Sequence, residues 1–254
     1  MQTVIPKTSA ALISLFRADL KTQWRNRRSV VLLLLVPVII LISWKGLIAK
    51  TGGTFVLSTC ITIGLTAIGL MGYSNAIARD RDKGVFQRLR VTPVPTWSIM
   101  ASRLLVQMIM ILLVTTMVFL IGSEYDKVNL SPQGYALTFL TAFIGGALYL
   151  GLGQMIVGLV KNAETVNSTT RLVYFVFIMV GMFGDIGAMS KDKDFRNIVT
   201  ITRWSPYGTV KQILAASMQP ANWDNNSTIA LMVTFAYAIV FSYLGIKKFK
   251  WNTN

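Results

Sequence analysis

The sequence contains no histidine and only one cysteine among its 254 residues. Histidine is the commonest general acid–base group and metal ligand, so the usual catalytic and metal sites lack their main component. The single cysteine, Cys60, excludes a disulfide framework within the chain and a cysteine-based metal or redox motif. We therefore predict no catalytic residue and no metal site in this chain.

Charge is also scarce, since only 14% of the residues are Asp, Glu, Lys or Arg. A soluble domain carries about a quarter of such residues. In contrast, 53% of the residues are hydrophobic, and the mean hydropathy is +0.56. Uncharged runs occupy residues 51–78, 104–123 and 128–160, and each reaches the roughly 20 residues that a helix needs to cross a bilayer. The composition predicts an all-α polytopic membrane protein.

We predict six transmembrane helices, at about residues 29–49, 54–76, 99–122, 134–160, 172–189 and 229–246. Lys45 interrupts the first of these, and its ammonium can reach the headgroups from there. Asp185 lies inside the fifth, where a carboxylate facing lipid is costly. We therefore expect that helix to break near Gly184 or Gly187, with Asp185 buried against protein or water.

The positions of the basic residues predict the orientation. Most of the 25 Lys and Arg residues lie in or next to four segments. These are the N-terminal segment 1–28, the connection 77–98, the connection between spans four and five, and the C-terminal tail. Because positive charge near span ends stays in the cytoplasm, both termini and the 77–98 loop are predicted to be cytoplasmic, and segment 190–228 extracellular. The transmembrane domain then covers residues 29–254. Topology and anionic lipid account for the net charge of +15, so we predict membrane lipids as partners and no nucleic acid.

The segment before the first span is amphipathic. Leu12, Phe16, Leu20 and Trp24 recur every four residues, and basic residues occupy much of the remaining helical surface. This pattern predicts an interfacial helix that lies on the inner leaflet. Asp19 and Gln23 interrupt the apolar arc, so an ordinary helix that packs on its own protein remains an alternative.

The densest cluster of charge is the stretch ARDRDKGVFQRLRVTP at residues 78–93. Phe86 and Leu89 share a helical face between Gly84 and the following prolines. A short amphipathic helix held in this way is suited to docking in the groove of a partner, whereas the alternative is a solvated, positively charged loop. The residues predicted to form this docking loop are Arg79, Asp80, Arg81, Asp82, Lys83, Gly84, Phe86, Arg88, Leu89 and Pro93.

This stretch resembles the cytoplasmic loop of ABC-2 type exporter permeases, in which alternating acidic and basic residues precede a glycine. Residues 80–84, Leu89 and the Val-Thr-Pro of residues 91–93 match that pattern. The departures are aspartates where glutamates are usual, Val85 where threonine is common, and Gln87 where an acid is frequent. The order of the spans and the Pro-containing stretch 203–208 extend the resemblance over nearly the whole chain.

The resemblance implies a transmembrane subunit that a cytoplasmic ATPase drives through the 77–98 loop. The sequence contains no P-loop pattern, so ATP and Mg²⁺ would bind to a separate ABC-type ATPase subunit. Two copies of that subunit would work with two permeases, either identical or homologous, in a bacterial plasma membrane. The motif looks most like the branch that exports drugs, antibiotics or peptide-like amphiphiles. Two alternatives stay open, a permease for lipid-linked polysaccharide and an ion-coupled secondary transporter, although the near absence of acids from the spans argues against the latter.

The resemblance also implies where a substrate would pass. It places the second span beside the pathway, which makes Thr62, Thr66, Tyr73 and Asn75 candidates for a translocation surface. It also suggests short re-entrant or interfacial helices that cap the exit, with Asp185, Trp204, Pro206 and Tyr207 as candidates; aromatic anchors at headgroup level are the alternative. Small residues in the fourth span, Ala142, Gly146, Ala147 and Gly151, predict close helix packing.

Overall fold

The computed structural model describes residues 8–91, 95–189 and 195–249, and these ranges contain helices and connections but no β-strand. The prediction of an all-α fold is confirmed. Twelve α-helices lie in the described ranges: α1 Thr8–Arg25, α2 Arg27–Ser43, α3 Lys45–Thr51, α4 Gly53–Thr66, α5 Ser74–Asp82, α6 Val85–Arg90, α7 Thr96–Glu124, α8 Pro132–Leu159, α9 Ala163–Met189, α10 Phe195–Trp204, α11 Pro206–Met218 and α12 Asn225–Lys248.

Five helical stretches within the described residues are long and apolar enough to cross a membrane. In the first of them, a π-helical segment, Ala67–Tyr73, joins α4 to α5 without interruption. The five stretches are Gly53–Asp82, Trp97–Glu124, Pro132–Leu159, Ala163–Gly187 and Asn225–Lys248. These stretches make the chain a multi-pass membrane protein.

The first predicted span, 29–49, is divided between two helices, α2 and α3. Helix α2 has 17 residues, or about 26 Å at about 1.5 Å per residue, and a turn at Trp44 separates it from α3. The Lys45 ammonium lies 4.0 Å from the centre of the Tyr125 ring, which gives this cation a partner at the end of α7. A sixth crossing requires that α2, bent by 63° from α1, completes a span. That crossing stays a prediction.

The connections between helices gather at two ends of the bundle. At one end, which we call the Arg81 end, residues of α5 and α6 meet the α8–α9 connection and Phe249, the residue that follows α12. At the other end, which we call the Lys211 end, α4 begins next to the α7–α8 connection and α8 begins next to the last turn of α11. Which of these ends faces the cytoplasm stays a prediction.

Helix α8 packs closely against α12 because its small residues let the two backbones approach. A Cβ atom added to Gly158 would lie 2.9 Å from the carbonyl oxygen of Gly245 in α12. One added to Gly151 would lie 2.6 Å from the hydroxyl of Ser242. Such close contacts are what small residues provide between membrane helices. The packing predicted for the fourth span is therefore present within a single chain.

Helix α9 corrects one prediction. It runs without a break to Met189, so the break expected near Gly184 or Gly187 is wrong. Gly181 instead makes room for the Tyr207 ring, and Gly184 for the Thr202 side chain. These glycines allow α10 and α11 to approach closely and do not interrupt the helix. Asp185 is buried against protein, as expected, because it pairs with Lys211.

Helix α1 packs along the first half of α7. The Ser102 hydroxyl donates a hydrogen bond of 2.5 Å to the Asp19 carboxylate, so the residue that interrupts the apolar arc faces the protein. Packing on its own chain therefore occurs, while Ile13 and Trp24 remain exposed on the other side of α1. The location of this helix at a membrane surface stays a prediction.

Candidate functional site

The charged stretch at residues 78–91 forms the end of a helix, a turn and a short helix. Residues Arg79 to Asp82 belong to the last turns of α5, and α6 begins at Val85. Gly84 has a φ of 66°, in the left-handed region that glycine adopts without a steric penalty. The predicted tight turn at Gly84 and the short helix after it are both present. Pro93 lies outside the described residues.

Arg81 holds α5 to the end of α8. Its guanidinium donates hydrogen bonds to three backbone carbonyl oxygens, those of Val157 at 2.8 Å, Val160 at 2.8 Å and Lys161 at 2.5 Å. The last carbonyls of a helix have no partner within it, and the negative end of the helix dipole attracts a cation. The side chain is only 3% exposed. Arg81 is therefore a C-terminal cap for α8 and offers almost no surface to a partner.

The neighbouring aspartates make two further ties. A carboxylate oxygen of Asp82 accepts a hydrogen bond of 3.2 Å from the backbone N–H of Ala163, the first residue of α9. An acidic group at this position satisfies a free N–H and suits the positive end of the dipole. Asp80 forms an ion pair with Arg103 of α7. One tripeptide thus ties α5 to α7, α8 and α9.

Arg103 extends this set of ties to two more helices. Its guanidinium lies 3.9 Å from the Asp19 carboxylate of α1 and 5.1 Å from the centre of the Phe86 ring of α6. Phe86 is completely buried and packs edge-to-face on Phe249, with 5.9 Å between ring centroids. We call Asp80, Arg81, Asp82, Phe86 and Arg103 the Arg81 cluster. It joins six helices, α1, α5, α6, α7, α8 and α9, to one another and to Phe249, the residue that follows α12.

A basic surface lies on the outer side of this cluster. Arg79, Lys83, Gln87 and Arg88 are exposed, and Val91 is 86% exposed. Arg88 donates a hydrogen bond of 3.1 Å to the carbonyl oxygen of Lys83, which closes the turn around Gly84. The predicted docking loop therefore divides into a buried part, which holds it in place, and an exposed basic part, which a partner can contact. Leu89 lies half-buried between the two.

The candidates for a translocation surface lie between helices of this chain. Thr62 and Thr66 are fully buried, and each donates to the carbonyl oxygen one turn earlier, at 2.7 Å. The Tyr73 hydroxyl donates a hydrogen bond of 2.6 Å to the Gln154 side chain of α8. Asn75 is half-buried and donates to Asn167 of α9 at 3.3 Å. Their role in a pathway stays a prediction, and the pairing of Tyr73 with Gln154 shows how two polar residues inside spans are satisfied.

Two of the exit candidates, Asp185 and Tyr207, line the same cavity as Lys211, a residue that was not among the candidates. Lys211 of α11 forms an ion pair of 2.5 Å with Asp185, and its ammonium lies 3.9 Å from the centre of the Phe55 ring. Both charged side chains are largely buried. The sequence did contain a signal for this pair, namely a lone lysine in the apolar stretch 209–216 and a lone aspartate in a span. Each of these needs an opposite charge when it is buried.

Two short helices, α10 and α11, lie over this region. Pro206 is the first residue of α11, and the preceding Ser205 accepts a hydrogen bond from the Gly208 N–H at 3.1 Å. Tyr207 is buried against Gly181, and the Trp204 carbonyl accepts a hydrogen bond of 3.1 Å from Tyr237 of α12. A cavity of about 380 Å³ opens between α4, α9, α10 and α11, with Asp185 and Lys211 in its wall. Whether it serves as an exit stays a prediction.

Comparison with known proteins gives the family. Residues 48–247 match the sequence pattern described as ABC-2 family transporter protein. The chain belongs to this family. A relative from Bacillus subtilis (strain 168), named "Putative transport permease YvfS", is 23% identical over 188 residues, which are 71% of this chain and 72% of the relative. The ABC-2 match covers all five residues of the Arg81 cluster, whereas two of their partners, Asp19 and Phe249, lie outside the matched range.

Membership of the ABC-2 family makes the chain a transmembrane subunit of an ABC transporter. Members of this family work with an ATPase subunit, in which ATP hydrolysis takes place. The resemblance drawn from residues 80–93 is thereby confirmed at the level of the family.

Proposed function

We propose that this ABC-2 protein is the permease subunit of an ATP-driven exporter in a bacterial plasma membrane. It moves a hydrophobic or amphiphilic compound, such as a drug, antibiotic or peptide-like molecule, outward. Two copies of a separate ATPase subunit bind ATP and Mg²⁺, and two permeases, identical or homologous, form the pathway. The outer surface of the α5–α6 turn receives the ATPase.

The Arg81 cluster is the observation that supports this proposal most. A partner that pushes on an exposed helix moves a membrane bundle only when that helix is firmly connected to it. Helix α6 has six residues and would be marginal alone, yet Phe86, Arg81 and Asp82 join it and the end of α5 to the rest of the bundle. The exposed Arg79, Lys83 and Arg88 lie on the other side of the same turn. This arrangement suits a contact that receives force.

The cavity at the Lys211 end supports the proposal that the substrate is amphiphilic. Its cavity of about 380 Å³ combines aromatic walls, Phe55 and Tyr207, with the Asp185–Lys211 ion pair. Apolar walls with a few placed polar groups are typical of small-molecule sites. A compound with an apolar body and one polar or charged group fits such a lining better than a uniformly polar sugar chain does.

The test replaces Lys83 and Arg88 by glutamate and measures co-purification of a P-loop ATPase with the tagged permease from its own membranes. Both side chains are exposed, so the variant should insert into the membrane, and gel filtration checks that it folds without the Arg88 hydrogen bond to Lys83. ATPase association should fall at least about ten-fold, as expected when charges at an interface are reversed. The matched control, Arg171→Glu with Lys247→Glu, makes the same charge change at exposed positions near the same end of the bundle. It should keep normal association.

Two results would contradict the proposal. Full ATPase association of the Lys83→Glu, Arg88→Glu variant would remove the α5–α6 turn as the contact. Gradient-driven uptake of an amphiphilic fluorescent dye by vesicles that contain only the purified chain, without nucleotide, would favour the secondary transporter instead.

A further inference from the structure

A groove on the outer surface of the bundle combines strong positive charge with an apolar floor. It lies between α1, the start of α2 and α7, and its volume is about 590 Å³. Arg17, Lys21, Arg25 and Arg27 line it. Among the residues that the structure describes, no acidic side chain lines this groove and none of these four cations forms an ion pair.

The floor and one wall of the groove are apolar. Ile109 and Leu113, one helical turn apart on α7, form the floor, and Leu20 and Trp24 of α1 form a wall. The Trp24 side chain is 58% exposed. Tryptophan beside clustered lysine and arginine is typical of a protein surface at lipid headgroup level, where the ring has one apolar and one polar side.

A second groove continues the apolar floor. It has a volume of about 340 Å³, and only apolar side chains line it. Ile109 belongs to both grooves, and Ile13, Phe16, Leu105 and Leu112 extend the surface along α1 and α7. The charged groove therefore opens directly into a trough in which a hydrocarbon chain can lie.

We propose that this composite groove binds an anionic phospholipid such as phosphatidylglycerol. The headgroup phosphate lies among Arg17, Lys21, Arg25 and Arg27, and an acyl chain follows α1 and α7 over Ile109. Charge complementarity selects this occupant, since four cations without an acid favour an anion, and the adjoining trough favours one that carries a chain. Basic pockets between membrane helices bind anionic headgroups in this way, at about 1 kcal/mol per cation, or about five-fold in affinity.

The proposed lipid site also fits the orientation of α1 against α7. Asp19 faces α7 through Ser102 and Arg103, and this contact turns Arg17, Lys21 and Trp24 towards the opposite side, where they are exposed. The bound lipid then bridges α1 to α7 on the side that Asp19 does not hold. The proposal does not depend on the transported substrate or on the ATPase contact.

The experiment uses the fluorescence of Trp24 in the full chain, reconstituted in phosphatidylcholine nanodiscs. The signal is the difference between the wild type and Trp24→Phe. Brominated phosphatidylglycerol and brominated phosphatidylcholine are added at the same low mole fraction, and bromine quenches tryptophan only on contact. We expect much stronger quenching by the anionic lipid. In an Arg17→Gln, Lys21→Gln, Arg25→Gln variant, the preference for that lipid should fall by about ten-fold or more.

The matched control is Arg171→Gln, Lys247→Gln, Lys248→Gln, which removes the same charge from exposed positions elsewhere on the bundle. This control should keep the preference for the anionic lipid. An equal loss of that preference in the control would mean that the lipid is attracted to the basic surface in general, which would contradict the proposed site. Equal quenching by the two lipids in the wild type would also overturn it. Glycerol 1-phosphate in solution should not relieve the quenching, since the chain contributes to binding; relief would assign the groove to a soluble phosphate.

Two further measurements check whether the triple variant is folded and whether a second copy of the chain covers the groove. Circular dichroism and gel filtration show whether the triple variant is folded, and Lys21→Gln with Arg25→Gln replaces it if it is not. If neither lipid quenches Trp24 and the triple variant shifts from dimer to monomer, a second copy of the chain covers the groove. That result would contradict the lipid site while leaving the proposed transport function untouched.

Discussion

Arg81 donates a hydrogen bond of 2.8 Å to the carbonyl oxygen of Val160, a residue 79 positions away in the chain. The bond joins the last turn of one long helix to the residue that follows another. Because the same guanidinium also reaches Val157 and Lys161, α5 and α8 are held in a fixed relation. Movement of the α5–α6 turn must then either carry α8 with it or break these bonds.

Replacing Arg81 by methionine should destabilise the protein by about 3 kcal/mol or more, because hydrogen bonds to a charged group contribute about 1.5 to 3 kcal/mol each. Arg81→Lys should lie in between, since one ammonium cannot reproduce the planar set of donors. Thermal unfolding in detergent measures the effect. Arg79→Met is the control, because Arg79 lies two residues away in the same helix and is exposed, and it should change stability by about 0.5 kcal/mol at most. Equal effects at both positions would contradict the capping role.

Arg103 balances two carboxylates, Asp80 and Asp19. Arg103→Gln should therefore destabilise the protein by about 2 kcal/mol, because it leaves both carboxylates partly buried without a cation. Adding Asp80→Asn to this variant should recover about 1 kcal/mol, although Asp80→Asn alone is destabilising. A double-mutant cycle on thermal unfolding measures this sign change, and purely additive effects would show that the two groups do not interact.

The sequence predicts the helices better than their partners. Long uncharged runs are sufficient to predict α7, α8 and α12, and Gly84 before an amphipathic pattern is sufficient for the turn. The acceptors of Arg81 are backbone carbonyls more than 70 residues away. A carbonyl has no signature in the sequence, so burial of this arginine could not be distinguished from exposure.

Two other cases show the same limit. A glycine near a buried carboxylate is consistent with a helix break or with a close helix contact, and only the positions of Tyr207 and Thr202 select the contact for Gly181 and Gly184. The carboxylate of Asp185 required a buried partner, which was expected. That the partner is Lys211 depends on α9 and α11 lying side by side, which hydropathy does not specify.

Gly84 gives a test of the turn itself. A Cβ atom at this position would meet only the Gln87 side chain, at 3.4 Å, so the cost of Gly84→Ala comes from the left-handed backbone. It should be about 1 to 2 kcal/mol, whereas Gly84→Asn should cost less because asparagine tolerates this conformation. Gly46→Ala in α3 is the control, since nothing lies within 4 Å of the added atom; it should be neutral or slightly stabilising. If alanine and asparagine at position 84 behave alike in thermal unfolding, backbone strain is not the cause.

The Asp185–Lys211 ion pair leads to a prediction for the order of stability of three variants. Each single change, Asp185→Asn or Lys211→Met, leaves one charge largely buried and should cost about 2 to 4 kcal/mol, whereas the double variant should cost less than either. Asp185→Asn should be the milder single change, because the Phe55 ring at 3.9 Å still faces the Lys211 ammonium. Thermal unfolding of the three variants and the wild type in one detergent gives the order. A double variant less stable than both singles would mean that the two charges stabilise the fold through separate partners.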